Sequence, residues 1–266
     1  MNHRFIKVDN IITPIIKKDK LFHGDYTVDP YQYCEFNCSY CDSSSKNGII
    51  IKSNAIDALK KEINQIEKGV IIVGSVHDPY QPLEERYRIT RGLLEVISDH
   101  NYPCHILTKS SLVLRDIDII SRMNKCYVTI SISTIRDKIA RLMEPYAPSP
   151  IERLKTIKKL TDNNITSGLA IIPLLPYTTE EEIEDIIRSA TIHHAQYLLY
   201  KHLMLTGDQR EHFLGLIDEK LPDHADRYKE LYRDRISPSK KYLYNVEKKI
   251  RTLSKRYKIP NNIPLT

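Results

Sequence analysis

Six short apolar runs, separated by stretches of helical periodicity, constrain this chain more than anything else in its sequence. They fall at 26–31, 70–74, 104–108, 126–133, 167–172 and 197–205. Several are apolar almost without interruption, which is the pattern of parallel strands covered on both faces and not of strands with one wet face. The intervening stretches carry helix punctuation. Ser53 reads as the cap of a helix that Gly69 stops, and Ser149 and Pro150 read as cap and first-turn proline of another. Thr178 and Thr179 precede Glu180, Glu181 and Glu182, placing acids where a helix dipole favours them. Parallel strands joined through helices require right-handed crossovers. Six such units are too few to close an eightfold barrel. The pattern therefore predicts an α/β chain folded as a partial (β/α)6 TIM-like barrel, with its chemistry at the C-terminal ends of the strands.

The β pattern stops near residue 206. Beyond it the sequence reads as helix, including 239–257 with Tyr242, Val246, Ile250, Leu253 and Tyr257 as an apolar stripe. The expected organisation is an N-terminal arm over 1–25, the barrel core over 26–205 and a C-terminal helical, basic extension over 206–266. Charge follows the same division. Formal net charge is +6, yet 227–258 alone holds twelve Lys or Arg against three Asp or Glu. That segment is either a solvated helix face or a handle for an anionic partner.

No apolar run approaches the roughly 20 residues that cross a bilayer, and 1–20 lacks the apolar core and small-residue cleavage site of a secretory signal. The expectation is a cytoplasmic protein with no membrane partner. Five cysteines in such a compartment do not suggest a disulfide framework, and their distribution points elsewhere. Three lie within eight residues, in Cys34-Glu35-Phe36-Asn37-Cys38-Ser39-Tyr40-Cys41, just after the first expected strand; Cys104 and Cys126 stand alone.

A C-x3-C-x2-C loop offers three soft thiolates to one face of an iron–sulfur cube and leaves one iron without a protein ligand. A substrate amine and carboxylate can chelate that open iron. Two other readings stay open at this point. Zinc could be held by the same thiols with one of ten histidines, although structural zinc sites more often use paired C-x2-C knuckles and no second pair exists. In that case the chain would be a zinc-stabilised nucleic-acid-binding protein without catalytic activity. Buried structural cysteines are the weaker alternative, because Glu35, Asn37 and Ser39 do not suit a core strand.

The sequence resembles the radical S-adenosylmethionine (SAM) superfamily and, within it, the branch related to spore photoproduct lyase. The resemblance runs from about 26 to 216 and rests on VDPYQYCEFNCSYC, GSVHDPYQPLE, HILTKS, SISTIRDKIARLMEPYAPSP and SGLAIIPLLP, in that order. It implies a [4Fe–4S] cluster on Cys34, Cys38 and Cys41, and reductive cleavage of SAM to a 5′-deoxyadenosyl radical that abstracts hydrogen from a substrate. By the same resemblance Tyr40 lies against adenine, and the Gly74-Ser75-Val76 turn meets the SAM amino group. Lys109, Ser131 and Ser133 match polar positions around the carboxylate and ribose, and Ile172 belongs to the apolar wall for adenine. A flavodoxin- or ferredoxin-type electron donor is implied as partner. A nucleic acid or nucleotide is the substrate class the branch favours, with a peptide or small metabolite left open.

One departure matters. In spore photoproduct lyase a cysteine after the second strand returns hydrogen to the product radical, and the matching residue here is Ser75. An alcohol O–H bond is too strong to serve, so thymine-dimer repair is not expected. Cys104 and Cys126 begin their strands, at the far end of the barrel from the chemistry, and read as core residues.

Overall fold

The computed structural model describes residues 2–17, 19–43 and 48–264. Ten strands are formed: β1 His3–Ile6, β2 Ile12–Pro14, β3 Tyr26–Val28, β4 Tyr31–Gln32, β5 Ile49–Lys52, β6 Ile71–Val73, β7 Cys104–Thr108, β8 Cys126–Ser131, β9 Thr166–Leu174 and β10 Leu198–His202. Ten α-helices accompany them: α1 Ala55–Glu62, α2 Glu84–Tyr87, α3 Ile89–Asp99, α4 Ile117–Ile120, α5 Asp137–Met143, α6 Pro150–Asp162, α7 Thr179–Ile192, α8 Gly207–Lys220, α9 Pro222–Tyr232 and α10 Lys240–Arg256.

The main sheet has the order β10-β9-β8-β7-β6-β3-β2, and its six strands from β3 to β10 are parallel. These are the six apolar runs of the sequence, side by side in chain order, so the partial barrel is as expected. β2 adds an antiparallel edge beside β3. A small second sheet, β1-β5-β4, packs next to the cysteine segment. These four extra strands are only two to four residues long, too short for a periodicity to mark them.

Residues alternate across each barrel strand. On β8, Cys126, Val128 and Ile130 join the large core beneath the surrounding helices. Tyr127 packs with Leu199, Ile263, Leu21 and Phe22 in a cluster of its own. Thr129 belongs to a polar chain, accepting or donating at 2.6 Å to His105 Nε2 and at 2.7 Å to the Tyr197 hydroxyl. Burial pushes the His105 imidazole down to about 4, so it is neutral at physiological pH. Ser131, one step further along, reaches the site described below.

The helix punctuation is partly as read. Ser149 forms a full capping box with Glu152, with Pro150 at the first position, and Ser239 caps α10. Ser53 does not cap α1. Its hydroxyl donates to the Ile6 carbonyl at 3.0 Å, and Asn54, at the cap position, exchanges two bonds with the Val8 backbone. The N-terminal arm has taken both polar side chains, and Gly69 lies beyond the helical segment that ends at Gln65. No helix among the described residues is long and apolar enough to cross a membrane.

Candidate functional site

The cysteine segment follows β4 as a loop with two left-handed residues, Tyr33 at φ 69° and Asn37 at φ 49°. Asparagine tolerates that conformation, whereas a tyrosine there is held by its surroundings. Three elements fix the loop. From one side, Gln81 Oε1 accepts the Glu35 N–H at 2.8 Å while Gln81 Nε2 donates to the Tyr33 carbonyl at 3.1 Å, and Glu35 in turn accepts the Leu83 N–H at 2.7 Å. From another, the end of α5 accepts the Ser39 N–H on the Met143 carbonyl at 2.9 Å. From the third, Gln209 at the start of α8 donates to the Tyr40 carbonyl.

So held, the loop closes a cavity of about 400 Å³ at the C-terminal ends of the barrel strands. Cys34, Cys38, Cys41, Tyr40, Gly74, Ser75, Lys109, Ser131 and Ile172, nine of the ten residues singled out from the sequence, line it. Ser133 does not. It is fully buried, and its carbonyl accepts the Thr179 hydroxyl at 2.5 Å.

The three thiols differ in surroundings. Burial pushes Cys34 up to about 12, although the Phe36 and Asp78 amides point at its sulfur and oppose the shift. Burial and the charge of Glu144 push Cys38 well up, with Lys109 opposing. Cys41 is half-buried and its sulfur accepts the Ser43 N–H at 3.4 Å. Buried thiols of this kind deprotonate when a cation arrives to compensate the charge. Three thiols on one loop, facing one cavity, with amides directed at two sulfurs, fit an iron–sulfur cluster. Among the described residues no three His, Cys, Asp or Glu side chains are arranged to hold a single metal ion. In a cube each thiolate would bind a different iron.

The second wall comes from the turn after β6. Gly74 adopts φ 88°, and a Cβ there would stand 2.4 Å from Pro79 Cδ and 2.5 Å from the Leu107 carbonyl, so only glycine fits. Asp78 staples this turn to the end of β7 by accepting from Thr108 Oγ1 at 2.6 Å, the Lys109 N–H at 2.7 Å and the Tyr80 N–H at 2.9 Å. Ser75 donates its hydroxyl to Asp29 at 2.9 Å.

At the cavity floor lies a charge cluster that sequence reasoning did not assemble. Lys109 Nζ donates to Ser131 Oγ at 2.7 Å and stands 3.6 Å from Glu144, and Ser131 Oγ donates to the Ile172 carbonyl at 2.9 Å. Glu144 also accepts the Tyr40 hydroxyl and pairs with Arg153 at 2.5 Å. Burial alone would raise the Glu144 carboxyl, but Arg153 and Lys109 together hold it down to about 2. A signal for Arg153 exists in the sequence: with Ile157 and Leu160 it shares the buried stripe of α6, where a cation needs a partner. Asp78, Gln81 and Glu84, around Pro79 and Pro82, can each be read from the sequence as a turn or helix-cap residue. Glu84 is fully buried, bound by Arg115 at 2.7 Å and by the Tyr31 hydroxyl.

A family model described as the Radical SAM superfamily matches residues 28–190. An uncharacterized protein of Methanocaldococcus jannaschii is 32% identical over 171 residues, covering 60% of this chain and 64% of that protein. The chain thus spans less than two thirds of that relative's length. An uncharacterized protein of Mycobacterium tuberculosis is 25% identical over 228 residues, covering 78% of this chain and 67% of that one. Among solved structures, a spore photoproduct lyase double mutant with bound AdoMet and dinucleoside spore photoproduct superposes with a TM-score of 0.72 at 16% identity, covering 98% of this chain and 82% of that chain. Streptococcus suis SuiB bound to S-adenosylmethionine does so with a TM-score of 0.63 at 11% identity, covering 89% and 49%. At such identities these structures speak for the fold.

Proposed function

The chain belongs to the radical SAM superfamily, and from that membership we propose that Cys34, Cys38 and Cys41 hold a [4Fe–4S] cluster with one iron left for SAM. Bound together, cluster and SAM supply a reductively generated 5′-deoxyadenosyl radical able to take hydrogen from an unactivated C–H bond. What carries the reading is that the three thiols share one cavity with the Gly74 turn, Lys109 and Ser131.

The protein's part is binding and orientation. Lys109, neutralised only in part by Glu144 at 3.6 Å, meets the SAM carboxylate, with Ser131 positioned by its bonds to Lys109 and to Ile172. The Gly74 turn, which only glycine can make beside Pro79 and the Leu107 carbonyl, brings backbone close to the SAM amino group. Tyr40, its hydroxyl tied to Glu144, presents a ring to adenine opposite the apolar wall at Ile172 and Pro173. Ser133 serves from behind this wall and not in it. The Ser75 hydroxyl is committed to Asp29 and is not a hydrogen-atom donor.

A cavity of about 400 Å³ is near the lower end for small-molecule sites, roughly 300–1,000 Å³. Cofactor therefore fills it, and substrate meets it at the rim, where Val76 is 60% and Met204 44% exposed. An external electron donor of flavodoxin or ferredoxin type supplies the reducing electron. The zinc alternative rests on the same three thiols and is separated from the cluster by the metal that reconstitution leaves bound.

The test is anaerobic reconstitution with iron and sulfide, reduction, and incubation with SAM. A brown protein that forms 5′-deoxyadenosine and methionine is expected, with each of Cys34→Ala, Cys38→Ala and Cys41→Ala abolishing both colour and product. A colourless protein that retains zinc through reconstitution and leaves SAM intact would overturn the assignment.

A further inference from the structure

We propose that the outer face of α10 is a docking surface for single-stranded nucleic acid, which it holds by the phosphodiester backbone. Lys241, Tyr244, Lys248, Arg251, Lys255 and Lys258 follow one another at intervals of three and four, so they form a single stripe along the helix and just past its end. Over this span the stripe is about 25 Å long at the helical rise of ~1.5 Å per residue. All six are exposed, Tyr244 to 65%, while Val246, Ile250 and Leu253 on the opposite side are buried.

The stripe differs from the other cations of the same helix. Lys249 donates to the Glu180 carbonyl at 2.8 Å and Arg256 pairs with Glu184 at 2.7 Å, so these two hold α10 on α7. Arg251 stands 3.7 Å from Glu247. Among the described residues no carboxylate lies within pairing distance of Lys241, Lys248 or Lys255. Unpaired cations about two helical turns apart, on long flexible stems, can reach phosphates spaced along one strand. An exposed tyrosine among them offers the flat surface on which an unpaired base stacks. A lipid surface fits less well, because the apolar side of this helix is already packed inward and has nothing to insert.

The stripe also lies next to the mouth of the cavity. Glu247 Oε1 stands 4.0 Å from His202 Nε2, and the Tyr200 hydroxyl is bonded by Arg251. His202 and the exposed Lys201 line the cavity. A strand laid along α10 therefore runs toward the rim where substrate must enter. The surface itself stands independently of the cofactor reading.

The experiment is fluorescence anisotropy of the full chain with a labelled oligo-dT of about 16 nucleotides, titrated across salt concentration. Binding at about 50 mM salt that weakens steeply as salt rises is expected. The combined variant Lys241→Gln, Lys248→Gln and Lys255→Gln should lower affinity at least tenfold at about 50 mM salt and reduce the log–log salt slope by about 2, at about 0.7 per lost contact. Its far-UV circular dichroism and its substrate-free formation of 5′-deoxyadenosine should match the wild type, which separates failure here from failure of the cofactor assignment. Tyr244→Ala should weaken single strands more than duplex of the same length. Absence of binding at about 50 mM salt, or an unchanged slope in the triple variant, overturns the proposal. Equal or tighter binding of phosphatidylserine vesicles or of polyglutamate overturns it as well, by making the face a site for another class of anion.

Discussion

Arg153 reaches from α6 beneath the barrel rim and places its guanidinium 2.5 Å from the carboxylate of Glu144, with both side chains 1% exposed. The pair is braced further. Arg153 Nη1 donates to the Ser131 carbonyl at 3.1 Å and Nε to the Pro148 carbonyl at 2.8 Å, while Glu144 accepts the Tyr40 hydroxyl. One buried ion pair thus fixes both residues assigned to SAM on that side of the cavity, Tyr40 and Lys109. Removing one partner of such a pair leaves an uncompensated buried charge and costs about 3–5 kcal/mol. Arg153→Met and Glu144→Gln are each expected to lose stability of that order in urea unfolding, and to raise the SAM concentration needed for half-maximal cleavage.

Glu144 also makes an acid limb. Its folded pKa is depressed from 4.5 to about 2, so its stabilising contribution is full above pH 4.5 and fades as pH falls through that interval. By linkage the contribution is about 3 kcal/mol. Urea midpoints of the wild type measured from pH 5 downward should fall more steeply than those of Glu144→Gln. Parallel curves would show that the carboxylate is not held as the ion pair requires.

His105 acts in the next pH interval. Burial lowers its imidazole from 6.5 to about 4, so the neutral ring stabilises the fold above pH 6.5 and protonation destabilises it as pH falls toward 4. His105→Gln loses the bond to Thr129 and is expected to be less stable at every pH. Its midpoint should nevertheless vary less than the wild-type midpoint between pH 6.5 and 4.5. A wild-type curve flat across that interval would count against a buried neutral imidazole.

The barrel was legible because its strands are buried on both faces and so appear as unbroken apolar runs, such as Cys126-Tyr127-Val128-Thr129-Ile130. The small β1-β5-β4 sheet was not, since three of the four residues of His3–Ile6 are exposed and the strand is too short to show an apolar alternation. At the site, the thiols and the residues next to them in sequence could be named from the motif. The contacts of Gln81, Gln209 and Arg153 could not, because none is marked by a local pattern: Gln81 lies 48 residues from Tyr33 and Gln209 169 from Tyr40, while Arg153 turns back from α6 to Glu144 at the end of α5. Glu144 stood inside a recognisable segment, yet nothing local says that its carboxylate turns inward to a tyrosine 104 residues earlier.

Gly74 gives a prediction with a narrow physical basis. At φ 88° an added methyl meets Pro79 and the Leu107 carbonyl at 2.4 and 2.5 Å. Backbone strain of about 1–3 kcal/mol and overpacking of similar size oppose Gly74→Ala. Lower stability together with weaker SAM binding is expected by urea unfolding and isothermal titration of the reconstituted protein. A variant of wild-type stability would mean that the turn opens without cost.

Gln81 allows the hold on the cysteine loop to be tested without touching a thiol. The side chain is fully buried, and its amide satisfies the Glu35 N–H on one side and the Tyr33 carbonyl on the other. Gln81→Ala leaves both backbone groups without these partners in a site where water is scarce, at about 1–3 kcal/mol for each buried group left unpaired. Tyr33 and Asn37, at positive φ, then lose the restraint that keeps the loop in its unfavourable conformation. All three cysteines remain, so iron should still be incorporated on reconstitution. It should be lost several times faster to a chelator such as bathophenanthroline, followed by absorbance, and Gln81→Glu should not restore the wild-type rate because it lacks the donor for the Tyr33 carbonyl. Equal rates of iron loss in wild type and Gln81→Ala would place the rigidity of the loop in its contacts with α5 and α8 instead.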